Sequence, residues 1–263
     1  MNQIDKKSVR LGITDLSFHR ATGAVVQVVL EKMGFNVIPS FAPHVENFEK
    51  LRSGEIDMIA SAWLPSSHGV YKEKVDKDIK TKELGLHYEP YALWGVPDYV
   101  TEELSSVEDL LKPEVEEKMI KVIQGIGPGA GITRFSLEMM KQYGLENAGY
   151  RFQTGTQDAC IAAFENAVKK KQWVVVPLWH PQFLHNTYKI RDLKDSKGLL
   201  GGKDKAVLLA SVKSLTTLFS EEEIKVLDNI KLSNAIVSHL DYLINRENKT
   251  AYQTAKEWLA INN

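Results

Sequence analysis

The chain has 263 residues, 43% hydrophobic and 25% charged, which is apolar material for one large core or two modest ones and excludes fibrous, collagen-like and disordered classes. Lys+Arg 33 against Asp+Glu 34 leaves a net charge of −1, so no global field draws nucleic acid or an anionic membrane. The single cysteine, Cys160, cannot form an internal disulfide, and beside Ile161 and Phe164 it reads as a small buried hydrophobe rather than a nucleophile.

Met1 to Arg10 carry a basic pair but no apolar export segment, and no run reaches the roughly 18 apolar residues of a membrane span. The expectation is a soluble chain, extracytoplasmic if an export signal was trimmed and cytoplasmic if Met1 is the native start. Val9, Leu11 and Ile13 alternate like a half-buried strand, and Ser17 is expected to cap a helix that ends before Gly34. Phe35–Ile38 reads as a second strand, Val45–Arg52 as a helix and Ile56–Ala62 as a buried strand, the alternation of a parallel α/β sheet.

The pattern restarts after an extended segment, Tyr88–Val96. Ser106 with Asp109 forms a capping box, and Met119–Ile123 reads as a strand leading into Gly125-Ile126-Gly127-Pro128-Gly129-Ala130-Gly131. A helix over Ile132–Tyr143 stops at Gly144, followed by a strand at Tyr150–Gln153, a helix at Gln157–Lys171 and a β-branched strand at Trp173–Leu178. The last third has one strand, Ala206–Val212, and then helices opened by Ser220, with Glu223 as a capping box, by Ser233 and by Thr250. The predicted architecture is two α/β lobes with a ligand cleft between them, residues 1–90 plus 206–263 forming the first and 91–205 the second, with the helical tail bracing the first.

Catalytic and phosphate motifs fail in turn. The glycine loop needs Gly at Ala130 or Ile132 to be a dinucleotide fingerprint, and no G-K-[ST] follows it. No H-E-x-x-H occurs, and His180 and His185 have the wrong spacing for one helical face, so neither a metal nor a cofactor is expected. Ser66, Ser67 and His68 adjoin in sequence, which does not make a nucleophile and base.

Aromatic placement is more informative. Trp63 follows the buried strand Ile56–Ala62 and precedes Leu64-Pro65, while Trp179 follows Val174–Leu178 and precedes His180-Pro181. Each therefore sits at the end of a strand, where it either caps a core or faces a ligand. Tyr91 and Trp94, on the joining segment, border the same opening. Such rings suit a quaternary ammonium ion, which is charged, weakly hydrated and unable to donate a hydrogen bond. Three faces at about 2 kcal/mol each approach the ~8 kcal/mol of a micromolar complex. A carboxylate at the other end of the ligand would meet free N–H groups where Gly127–Gly131 opens a helix.

These residues resemble the substrate-binding proteins of ABC transporters for glycine betaine, proline betaine and choline. The likeness is carried by Thr14-Asp15, by Ser61-Ala62-Trp63-Leu64-Pro65-Ser66-Ser67-His68-Gly69, by Gly127–Gly131, by Trp179-His180-Pro181-Gln182-Phe183 and by Ala255-Lys256-Glu257-Trp258-Leu259. It implies a two-lobed periplasmic-binding-protein clamshell that closes on its ligand. Trp63, Tyr91 and Trp179 then become walls of an aromatic box, Gly129 and Ala130 approach the ligand, and Asp15 resembles a polar contact of choline-type members. His180 or His185 could supply the carboxylate-binding histidine of betaine-type members. Ile13 stands where some members carry a tryptophan, and either Phe18 replaces that wall or the box is incomplete.

The resemblance implies a non-catalytic, monomeric receptor that delivers its ligand to ABC permease and ATPase subunits, with no nucleic-acid partner. Two rivals are an enzyme acting on a small amine in the same cleft and a cytoplasmic small-molecule sensor without a transporter.

Overall fold

A computed structural model describes residues 7–262, so the expectation placed on Met1 to Lys6 lies outside the described residues. The chain divides into two compact units, one running to Pro90 and resuming at Asp204, the other Tyr91–Lys203.

The first unit opens with β1 (Ser8–Thr14), α1 (Ser17–Lys32), β2 (Asn36–Ala42), α2 (His44–Ser53), β3 (Met58–Leu64), α3 (Gly69–Asp76) and β4 (Thr81–Tyr88). β1 runs parallel to both β2 and β3, as the alternation of strands and helices predicts. Ser17 is the first residue of α1 rather than its cap; Leu16 takes the cap position without a side-chain hydrogen bond. Gly23 allows α1 to press onto the sheet, because a Cβ there would lie 2.6 Å from Ile13 Cδ1. α3 and β4 escape the sequence pattern: α3 buries only Tyr71 and Val75, too few apolar positions to mark a helical face.

The second unit contains β5 (Tyr91–Pro97), a 3₁₀ turn at Val107–Leu111, α4 (Pro113–Glu116), β6 (Val122–Gln124) and α5 (Gly131–Gln142). It continues through a 3₁₀ turn at Leu145–Ala148, β7 (Arg151–Gln153), α6 (Gln157–Lys170), β8 (Val176–His180), α7 (Leu184–Thr187) and β9 (Ile190–Asp192). The Ser106–Asp109 capping box is present, at the start of the first 3₁₀ turn. The main sheet has the order β8-β5-β9 and is antiparallel throughout, while β6 and β7 pair in parallel. β8 begins at Val176 rather than Trp173, because Trp173 is committed elsewhere: it bridges Met119, and its carbonyl accepts the Ile120 amide at 2.9 Å.

The chain then returns through β10 (Lys205–Ser211), α8 (Val212–Leu218), α9 (Glu221–Asp228), α10 (Asn234–Arg246) and α11 (Ala251–Ile261). β10 enters the first unit's sheet antiparallel to both neighbours, giving the order β2-β1-β3-β10-β4. The capping boxes of Ser220 with Glu223 and of Thr250 with Gln253 open α9 and α11. The helical tail braces the first unit as expected: Leu240, Ala255 and Leu259 join the core of Val9, Leu11, Val25 and Val28. That packing explains why α1 is buried nearly all round rather than along one stripe.

Candidate functional site

In the first unit, β3 ends at a turn built around Trp63. The Leu64–Pro65 peptide is cis, and His68 closes the turn reciprocally: its Nδ1 accepts the Trp63 amide at 2.9 Å, and its own amide donates to the Trp63 carbonyl at 2.8 Å. The His68 ring lies nearly parallel to the indole, at 6.2 Å and 18°. Phe18 and His19, neighbours on α1, bring their ring centroids to 5.3 and 5.2 Å from Trp63. Phe18 is thus a direct neighbour of the Trp63 indole, buried at 2% exposure.

A polar network holds the edge of the indole. Trp63 Nε1 donates to Tyr88 Oη at 3.0 Å and to Ser61 Oγ at 3.3 Å. Ser61 Oγ is also hydrogen-bonded to Tyr88 Oη and lies 2.9 Å from His19 Nδ1. Burial pushes the Tyr88 phenol up to about 12, against opposing hydrogen bonds from Ser61, Trp63 and Thr22. Burial, reinforced by nearby His44, holds His19 well below the usual imidazole range. The whole cluster is therefore neutral at physiological pH.

His19, His44 and His68 bring ring nitrogens within 4.8 Å of one another, a gathering that sequence reading missed because the residues come from α1, α2 and the turn after β3. Three buried imidazoles invite a metal ion. The hydrogen bonding argues against one: because His68 Nδ1 accepts a backbone amide, the proton of its neutral ring sits on Nε2, which is then a donor with no lone pair to offer. Ligation through His68 would have to break the bond that closes the Trp63 turn. The cluster reads as packing behind the indole.

Asp15, at the end of β1, is exposed and hydrogen-bonded to the Arg20 guanidinium, which also lies 4.9 Å over the Phe41 ring. A cavity of about 690 Å³ opens at the other end of the same strands, lined by Arg10, Asp57, Lys80 and Lys213 among others. It presents no aromatic face, and Asp57 is already taken by Arg10 and Ser214, so it does not suit a quaternary ammonium ion.

In the second unit, β8 ends in a comparable turn, with a cis His180–Pro181 peptide after Trp179. His185 Nε2 lies 2.9 Å from the Trp179 carbonyl; a carbonyl only accepts, so Nε2 carries the proton. His180 stacks on His185 at 3.5 Å and on Tyr91 at 4.8 Å. Burial, with neighbouring His185, lowers His180 to about 4.

Cross-strand register sorts these rings. Tyr91 pairs with His180 and Ala92 with Trp179, so Tyr91 and His180 share one face of the sheet and Trp179 the other. Trp94 lies on Trp179's face, and its Nε1 donates to Ser136 of α5 at 2.8 Å. Trp179 therefore belongs to the face covered by α5, the helix opened by Gly127–Gly131. α5 starts at Gly131 with Ala130 as a cap that provides no side-chain bond; the Thr133 N–H turns back to the Ala130 carbonyl at 3.2 Å, which leaves the Gly131 and Ile132 N–H groups at the helix start for another acceptor. Gly129 occupies the turn before it, its carbonyl accepting from Arg134 Nη1 at 3.3 Å.

Comparison with known proteins places this geometry in a family. Residues 7–260 match the family described as the substrate binding domain of the ABC-type glycine betaine transport system. A glycine betaine/carnitine transport binding protein of Listeria monocytogenes serotype 1/2a (strain 10403S) is 28% identical over 93 residues, a stretch covering 35% of this chain and only 31% of that protein. Among solved structures, the glycine/betaine/L-proline-binding protein of Borrelia burgdorferi superposes with a TM-score of 0.86 at 28% identity, covering 97% of this chain and 94% of that one. Lactococcal OpuAC, crystallised closed with glycine betaine, gives 0.85 at 25% identity, covering 98% of this chain and 96% of that one. The fold is that of the two-lobed periplasmic binding proteins, and the chain belongs to the family of substrate-binding domains of ABC-type glycine betaine transport systems.

Proposed function

We propose that the chain is the solute receptor of an ABC importer, capturing glycine betaine or a closely related quaternary ammonium compound and delivering it to the permease. The observation that carries this reading is the pair of tryptophan turns, Trp63 closing β3 in one unit and Trp179 closing β8 in the other, within a chain of this family. Trp63 and Trp179 each offer an indole face to the cation, Phe18 packs beside Trp63, and Tyr91, on the other face of its sheet from Trp179, is a separate candidate contact.

The first turn of α5, after Gly129 and Ala130, receives the ligand's carboxylate; His180, on the opposite face of the sheet beside Tyr91, is a separate polar candidate. Asp15 would take part only by exchanging Arg20 for the ligand. The family consists of solute-binding proteins rather than enzymes, and it works outside the cytoplasm. No helix among the described residues is long and apolar enough to cross a membrane. The receptor acts as a monomer, and the permease with its ATPase is its partner.

Titrating the protein with glycine betaine, proline betaine, choline and carnitine, followed by tryptophan fluorescence and calorimetry, tests the assignment. Binding of at least one of them, weakened by both Trp63→Ala and Trp179→Ala, is expected. Tight binding that survives both substitutions would remove the two-wall account.

A further inference from the structure

Ser61 has a backbone conformation that its residue type rarely takes. It lies inside β3, is 1% exposed, and has φ of 59°. The register explains how a strand accommodates this. Ala62 pairs with Val207 and Ile59 with Leu209, so Ala60 and Ser61 together face the single residue Leu208 on β10. This is a β-bulge, which re-aims a side chain at the cost of one unpaired residue.

The re-aimed hydroxyl is where three polar groups from separate elements converge: the Trp63 indole N–H, Tyr88 Oη and His19 Nδ1. Whichever way the hydroxyl protons run between His19, Ser61 and Tyr88, an oxygen lone pair faces the indole N–H. The network is neutral, so it sets the direction of the ring without placing a positive charge behind it.

We propose that Ser61 is a positioning residue: the strained bulge holds a hydroxyl that fixes the rotamer of Trp63 both directly, at 3.3 Å from Nε1, and by anchoring Tyr88 Oη, the nearer acceptor at 3.0 Å, and ligand affinity depends on that fixed ring. This rests on the reading of Trp63 as a cation wall, and the geometry goes beyond it by naming what preorganises the wall. It also accounts for a serine in place of glycine, the residue that would adopt the same φ without penalty.

The test separates strain from hydroxyl. Ser61→Gly keeps the left-handed backbone at no steric cost and removes the Cβ and hydroxyl together, so relieved strain opposes the lost hydrogen bonds in the melting temperature while affinity for the best-binding compound of the betaine panel falls about tenfold. In a Trp63→Phe background there is no indole N–H to direct, and Ser61→Gly should then change affinity by less than twofold. Full affinity in Ser61→Gly, or an undiminished loss in the Trp63→Phe background, would overturn the proposal.

A ligand-free readout keeps it testable if the panel does not bind. The Trp63 contribution to time-resolved fluorescence anisotropy, obtained by difference from Trp63→Phe, should lose its immobile component in Ser61→Gly. Failure of the whole panel with loss of that component defeats the ligand assignment alone. An unchanged immobile component defeats the role of Ser61.

Discussion

The turns that follow β3 and β8 share a local grammar but differ in how they secure their tryptophan. Each has Trp, one residue, a cis proline and then a histidine that reaches back to the tryptophan backbone. In the first unit the histidine engages both amide and carbonyl, and Ser61 and Tyr88 hold the indole N–H as well. In the second, His185 meets the carbonyl, and its ring is stacked on His180. One indole is held through its polar edge, and the other lies on a sheet face beside Trp94. If both meet a cation as proposed, they need not tolerate substitution equally.

The largest effect should come from a tryptophan that belongs to neither turn. Trp94 shares the face of Trp179 and, like it, is buried, at 0% against 2% exposure, and its indole N–H is committed to Ser136 of α5. Trp94→Ala should cost about 3–5 kcal/mol in urea-melt stability, whereas the protein that remains folded should bind ligand normally. A selective loss of affinity would make Trp94 part of the site and blur the distinction.

Next comes acid sensitivity, which should differ between the units. His87, on β4, is fully buried with no hydrogen-bond partner for either ring nitrogen, and burial lowers it to about 4. Below about pH 6.5 the unfolded chain takes up a proton that the folded chain refuses until about pH 4. Stability is therefore complete above that window, falls through it and levels off beneath it, by about 3 kcal/mol for this group. His87→Leu should flatten the acid limb of a denaturation series. His180 acts in the same direction in the second unit, but it is partly exposed and should contribute less.

Trp63→Ala and Trp179→Ala should each weaken binding by about 2 kcal/mol, close to thirtyfold, in calorimetric titrations. A loss confined to one of them would show that a single unit holds the cation. The smallest effect belongs to Asp15→Asn. Its exposed pairing with Arg20 should contribute under about 1 kcal/mol of stability. A marked, selective loss of choline affinity would promote Asp15 to a ligand contact.

Much of this was legible beforehand for physical reasons. The apolar runs before Trp63 and Trp179 mark strands whose ends must carry the next side chains out of the sheet. Ser106, Ser220 and Thr250 announce helices through hydrogen bonds local enough to be read from three residues' spacing. The bulge at Ser61 was not legible: Ile59-Ala60-Ser61-Ala62 reads as ordinary strand, and the irregularity exists only against Leu208, nearly 150 residues away. The histidine cluster was hidden in the same way, its members being separated by about 25 residues each. Sequence period likewise could not decide that Tyr91 and Trp179 occupy opposite faces, because strand register settles that.

The position of β10 has a consequence for synthesis. It fills the gap between β3 and β4, pairing Ala206 with both Trp63 and Tyr88. During translation the first unit's sheet stays split until the ribosome has made the entire second unit and the strand after it. Its closure is a long-range event that should be slow, and a chain stopped before residue 205 would leave the edges of β3 and β4 open to pair with other chains.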